Sequence, residues 1–123
     1  MQVVAHYLDG RVIRGASLDV DAGRLVFHIA ADFGPLVKVE LEKLKALYVV
    51  RTLDGDRSEH DRRRVDPGDA RRRGGHGVEV TFWDGERLVG LTLHDAGGGH
   101  LLLLPADPES NNLRILVNRA AIA

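Results

Sequence analysis

The chain has 123 residues, 44% hydrophobic and 28% charged, with 17 basic residues against 18 acidic ones and no cysteine. That is the composition of one globular domain, or two very small ones, and not of a disordered tail. The missing cysteine excludes disulfides, thiolate metal sites and cysteine nucleophiles. The balanced charge argues against a generally basic nucleic-acid surface, and no apolar run is long enough for a transmembrane helix.

Patterned sequence begins at once. Val3, Ala5 and Tyr7 alternate with Val4, His6 and Leu8, the period-two signature of a half-buried strand. Without a basic-then-apolar leader before them, the expected compartment is the cytoplasm. Asp9-Gly10 then signals a hairpin turn, because glycine tolerates the positive φ of a tight turn. The next strand, 11–20, is interrupted at Gly15, which predicts a bulge or sharp bend of the kind that wraps a small barrel. A third strand is expected over 25–29 and a fourth over 37–41. A single helical turn over 42–45 and a fifth strand over 46–51 complete the series. Residues 53–76 are almost devoid of apolar side chains and read as a mobile charged linker.

The second half repeats the first. The pattern from Val3 to Gly15 recurs from Val78 to Gly90, with Asp84-Gly85 standing where Asp9-Gly10 stood and Gly90 where Gly15 stood. The match runs on to Ala31-Asp32 against Ala106-Asp107. After a one-residue insertion, Val37, Val39 and Leu41 fall on Leu113, Ile115 and Val117, and Ala46 on Ile122. Strands are expected at 78–84, 87–95, 100–105 and 113–118, with a turn at 119–121 and a truncated fifth strand. The sequence therefore predicts an all-β chain: two tandem copies of a small SH3-like or Sm-like barrel unit, packed with pseudo-twofold symmetry and joined by a disordered linker. The units are 1–52 and 77–123, one compact domain by duplication. The expected core is Val3, Ala5, Tyr7, Ile13, Val26, Val39, Leu41 and Leu47, with Val78, Val80, Phe82, Leu88, Leu101, Ile115 and Val117 in the second copy. Several strands are apolar on both faces, so their outer faces are expected to be covered by the other copy or by a second chain.

Two resemblances rest on these residues. The stretch from Asp9 to Gly15, followed by Leu18 and Asp21, resembles the first motif of Sm-like barrels. Over nearly the whole chain, the run from Leu44 to Arg51 followed by Asp54-Gly55-Asp56, the run from Thr81 to Glu86, and Pro105 to Pro108 with Ser110-Asn111-Asn112 resemble an uncharacterised bacterial family. That family is a domain of unknown function frequent in delta-proteobacteria, found alone or near signalling domains such as PilZ. The resemblance implies a bacterial, cytoplasmic protein and carries over no catalytic residue. Leu101 to Leu104 stand where the family pattern is expected to be aromatic.

Four segments could carry chemistry. Ser110, Asn111 and Asn112, with Asp107 and Arg114, are candidates for binding a small polar ligand or a partner, against a plainer reading as a turn whose side chains bond neighbouring backbone. Arg62, Arg63, Arg64, Arg71, Arg72 and Arg73 are candidate contacts to an anion or nucleic acid, against a plainer reading as a mixed-charge spacer. His94 and His100 bracket a glycine-rich turn and could hold a metal with Asp95, against a plainer reading as a flexible hairpin tip, since no third histidine or cysteine has ligand spacing nearby. His6 and His28 are expected to satisfy hydrogen bonds within strands. No nucleophile elbow or zinc-protease motif is present, and no catalytic residue, metal or cofactor is assigned.

The reading is a non-catalytic bacterial interaction or adaptor module in signalling or regulation, binding a protein partner or a second copy of itself as a homodimer. Neither nucleic acid nor membrane is expected as a partner. An exposed strand edge around 114–117 is expected to take the partner strand. The alternative is a small barrel that binds RNA or an anionic ligand through the arginine-rich linker and the Ser-Asn-Asn loop.

Overall fold

The computed structural model describes residues 1–20, 25–31, 34–53, 68, 75–92, 100–107 and 109–123. It is all-β. Among the described residues nine strands form one antiparallel sheet: β1 (Gln2–Tyr7), β2 (Val12–Ala16), β3 (Val26–Ala31), β4 (Leu36–Glu40), β5 (Leu44–Val50), β6 (His76–Thr81), β7 (Arg87–Thr92), β8 (His100–Pro105) and β9 (Asn112–Asn118). The spatial order is β4-β3-β2-β1-β5-β9-β8-β7-β6. Two 3-10 turns, Leu41–Lys43 and Arg119–Ala121, directly follow β4 and β9. Among the described residues no helix is long and apolar enough to cross a membrane.

Local chemistry accounts for the corners. Gly10 and Gly85 adopt φ of +94° and +91°, the left-handed region that the two Asp-Gly turns require. Gly15 lies on the bend where β2 leaves β1 for β3: it pairs with Val3 on one side and Ala31 on the other. A Cβ there would run into the carbonyl oxygen of Ala30, and one at Gly90 into that of Leu104. Both glycines therefore permit close backbone approach. β2 stops at Ala16, short of the strand expected to reach residue 20.

The sheet encloses two hydrophobic cores on opposite faces of its centre. Val3, Ala5, Tyr7, Phe27, Ile29, Val39 and Leu41 fill the first, with Leu44, Leu47 and Val49 from β5 and Leu116 from β9. Val80, Phe82, Leu103, Ile115, Val117 and Ala121 fill the second, with Ala46, Tyr48 and Val50 from β5. Alternate residues of β5 and β9 thus point into different cores, and this is how strands apolar on both faces are buried. In β3 the buried pair is Phe27 and Ile29; Val26, expected in the core, is only half-buried, as are Ile13, Val78, Leu88 and Leu101. Both alternate sets of β3 are apolar, so the sequence pattern leaves its phase open.

Two expectations are corrected here. The edge predicted at 114–117 is not an edge. β9 is paired on both sides, with Val49, Tyr48, Leu47 and Ala46 lying opposite Arg114, Ile115, Leu116 and Val117. Among the described residues the sheet edges are β4 and β6. The sequence match also slips after the first hairpin. Gly15 pairs with Ala31 whereas Gly90 pairs with Pro105, not Ala106. Ile122 bridges Phe82, while on the first hairpin it is Leu44 that pairs with Tyr7 and Ala46 lies opposite His6. The linker expectation for 53–76 falls almost wholly outside the described residues, although β6 already begins at His76.

Candidate functional site

The two Asp-Gly turns are built alike. In the first, the amide of Gly10 donates to the Tyr7 carbonyl at 3.1 Å and that of Arg11 to Asp9 Oδ1 at 3.0 Å. In the second, Gly85 donates to Phe82 at 2.9 Å and Glu86 to Asp84 Oδ1 at 3.0 Å. Each turn is then fastened to a 3-10 turn: Leu8 N–H donates to the Lys43 carbonyl and Trp83 N–H to that of Ala121, both at 3.0 Å. The residue before each Asp-Gly is thereby held outward. Leu8 is 54% exposed and Trp83, the sole tryptophan of the chain, is 75% exposed.

Between the two turns lies an open notch of about 180 Å³. Tyr7 and Leu8 line one side, Phe82, Trp83 and Asp84 the other, and Lys45 from β5 the space between. Lys45 is only 12% exposed. Its ammonium donates to Asp84 Oδ2 at 2.6 Å and to Glu86 Oε1 at 2.7 Å, and lies 4.5 Å from the centre of the Phe82 ring. Burial opposes its charge, but the two carboxylates outweigh burial and hold its pKa above the usual lysine value. Lys45 in turn pulls Asp84 below the usual carboxylate range, with help from the Glu86 amide. Beneath them Tyr48 donates its hydroxyl to Glu86 Oε1 at 2.5 Å; burial first, and then this carboxylate, raise its pKa. His6 meets the Tyr48 ring edge-on at 4.9 Å. Burial, then the charge of Lys45, lower the His6 pKa.

Chemically the notch is apolar-walled, and of its lining charges Asp84 is balanced by Lys45, which Glu86 also holds. The place over the Phe82 ring where a ligand cation could sit is filled by the protein's own lysine. What remains open is a slot between Leu8 and Trp83, fitted to an apolar side chain. Sequence reading did not single out these residues. The available signal was the matched turns, which place an exposed apolar residue before Asp-Gly in each half.

The sequence-predicted residues lie elsewhere. Asp107, Ser110, Asn111 and Asn112 come together as one turn. Asp107 Oδ1 accepts from the Glu109 amide at 2.9 Å and Ser110 Oγ from the Asn112 amide at 3.2 Å. This turn is joined to the end of β5. Asn111 Oδ1 accepts from the amide and hydroxyl of Thr52, its Nδ2 donates to the Thr52 carbonyl, and Arg51 Nε donates to the Ser110 carbonyl. Arg114 is on β9 opposite Val49, reaching the Met1 sulfur at 3.5 Å. Arg62, Arg63, Arg64, Arg71, Arg72 and Arg73 lie outside the described residues, as does His94. Among the described residues, His100 is buried on β8 with no hydrogen-bond partner at Nε2, and no metal-capable group of three side chains occurs.

A second polar cluster joins Ser17, Asp19 and His28. Ser17 Oγ donates to Asp19 Oδ1 at 3.0 Å, the His28 amide donates to the same oxygen at 2.9 Å, and His28 Nδ1 lies 2.9 Å from Oδ2. The His28 ring and then its amide hold Asp19 well below the usual carboxylate range. Here the carboxylate stands between serine and histidine. A nucleophilic triad needs histidine in the middle, so this arrangement clasps the segment after β2 to β3 and does not activate Ser17.

No curated protein and no solved structure matches the chain. A family model described as a family of unknown function, DUF6982, matches residues 1–123.

Proposed function

The chain belongs to this family of unknown function, and we propose that it is a non-catalytic interaction module, a bacterial, cytoplasmic adaptor whose docking point is the notch between the two Asp-Gly turns. One observation carries the reading: the sole tryptophan stands 75% exposed opposite an exposed leucine, on rigidly fastened turns, across a slot of about 180 Å³. Tryptophan is the residue most enriched among energetic hot spots of interfaces. Fixed turns add little ordering cost on binding. The apolar walls favour a partner segment that offers an apolar side chain.

We also read the chain as two copies of one small barrel unit of SH3-like type, related by a pseudo-twofold axis. The matched turns, the matched glycines at Gly15 and Gly90 and the matched 3-10 turns support this. On this reading the notch forms where the first turn of one copy meets the first turn of the other.

Affinity capture from the source cells, with a photo-crosslinking residue at position 8, tests the docking point. The wild-type chain is expected to crosslink a protein, and Trp83→Ala to lose it roughly tenfold or more, the hot-spot scale. Equal capture by Trp83→Ala would overturn the reading. Capture that is sensitive to nuclease and falls steeply with salt would favour an RNA- or anion-binding barrel in its place.

A further inference from the structure

We propose that the β4 edge pairs with the β4 edge of a second copy of this chain, in one register set by Lys38 and Glu40. This rests on the sheet edge and is independent of the notch.

β4 ends the sheet, and among the described residues no strand lies beyond it. The phase of its unpaired backbone follows from one bond. Leu41 N–H donates to the Leu25 carbonyl at 2.8 Å, so Leu41, Val39 and Val37 turn their main-chain groups toward β3. Backbone direction alternates along a strand, so Leu36, Lys38 and Glu40 turn theirs outward. The sheet itself shows that such an edge accepts a strand. β9 occupies the same place in its half: it too is followed at once by a 3-10 turn and pairs with the strand before it, and its outer edge carries β5 antiparallel.

Charge selects the occupant. Val37 and Val39 face the first core, which leaves Leu36, Lys38 and Glu40 on the outer face, with Leu36 68% exposed. Lys38 has no ion-pair partner among the described residues, while Glu40 is held by Lys43 at 2.9 Å. In an antiparallel pair of two β4 strands, only registers that oppose outward residues make main-chain hydrogen bonds. Centring the axis on Lys38 opposes two lysines, and centring it on Glu40 opposes two glutamates; both arrangements are destabilising. Centring it on Val39 places Lys38 against the partner's Glu40 and Glu40 against the partner's Lys38, and both pairs then exchange main-chain hydrogen bonds. The pattern Lys-Val-Glu is self-complementary in that register. A lysine at the middle of an edge ordinarily discourages indiscriminate pairing; here it also leaves one arrangement in which opposite charges face each other.

The other edge fits less well. On β6, Ala123 N–H already donates to the Thr81 carbonyl, and Gly77 weakens the strand. Pairing of β4 with β6 of a second copy would also be heterologous and would build open chains, whereas β4 with β4 closes as a twofold dimer. The pairing is short, so the dimer is weak and dissociates on dilution.

Sedimentation velocity of the full chain over a dilution series tests the proposal, with thermal melts to confirm folding of each variant. The wild type is expected to pass from monomer to dimer as concentration rises. Lys38→Glu and Glu40→Lys, each alone, are expected to weaken the dimer about tenfold or more, because each opposes like charges. The double variant carrying both exchanges restores the complementarity and is expected to regain the wild-type affinity. Trp83→Ala is expected to leave the dimer intact. Amide exchange at Lys38 and Glu40 is expected to slow with concentration. A wild type that stays monomeric, single variants that dimerise unchanged, a double variant without rescue, or a dimer lost in Trp83→Ala would each overturn the proposal.

Discussion

Lys45 and His6 show how single residues of β5 and β1 are set by groups far away in the chain. The Lys45 ammonium is balanced by Asp84 and Glu86 from the second hairpin, and the same Glu86 accepts the Tyr48 hydroxyl. His6 lies against Tyr48, where burial and then the Lys45 charge favour its neutral form. Its folded pKa is therefore below the ordinary 6.5, and the unfolded chain binds more protons in the window beneath that value. The stability that His6 contributes is complete above the window and is lost as pH falls through 6.5. Asp84 acts in a more acidic window: its lowered pKa gives stability that is full above the ordinary 3.8 and is lost as pH falls from there through its folded value. Melting temperature is thus expected to decline between pH 7.5 and 5.5, and His6→Gln to flatten that decline. An unchanged slope in His6→Gln would locate the pH dependence elsewhere. None of this was legible in sequence, where His6 read only as a strand histidine.

At the scale of elements, turns were the most legible features. Asp9-Gly10 and Asp84-Gly85 form the hairpins expected of them, since positive φ is a property of the dipeptide itself. Gly15 and Gly90 were recognised as corners, and their role is close approach to the backbone of β3 and β8. Gly15→Ala and Gly90→Ala are each expected to destabilise the fold by about 1–3 kcal/mol, the cost of overpacking. Denaturant melts of the two variants measure this, and a Gly90→Ala curve superimposed on that of the wild type would refute the packing argument. Asn118 joins the two 3-10 turns: its Oδ1 accepts from Ala120 while its Nδ2 donates to the carbonyls of Glu42 and Leu44. That role needed the tertiary structure, because an asparagine at a strand end reads equally well as a simple cap.

For the whole molecule, the central fact is that β5 serves both cores. Leu44, Leu47 and Val49 belong to the first, and Ala46, Tyr48 and Val50 to the second. A fragment of residues 1–52 would expose that second face to water, along with the edge that β9 covers. The isolated fragment is therefore expected to lack a cooperative melt or to aggregate, and adding a fragment of residues 75–123 is expected to restore folding. A fragment 1–52 that melts cooperatively as a monomer would show that the halves do not depend on each other.

Composition and period-two alternation determined by themselves that this chain is all-β, roughly where its described strands and its two Asp-Gly turns fall, and that some strands must be covered on both faces. Those properties are local, or follow from the need to remove apolar area from water. Tertiary structure alone decided the phase of β3, the burial of the 114–117 edge under β5, the two cores on opposite faces, and the meeting of Leu8, Trp83 and Lys45 in one notch. Strand order and long-range register depend on the free energy of the whole packed sheet. Residues that are apolar on both faces of a strand satisfy several such packings until the full set of neighbours is fixed.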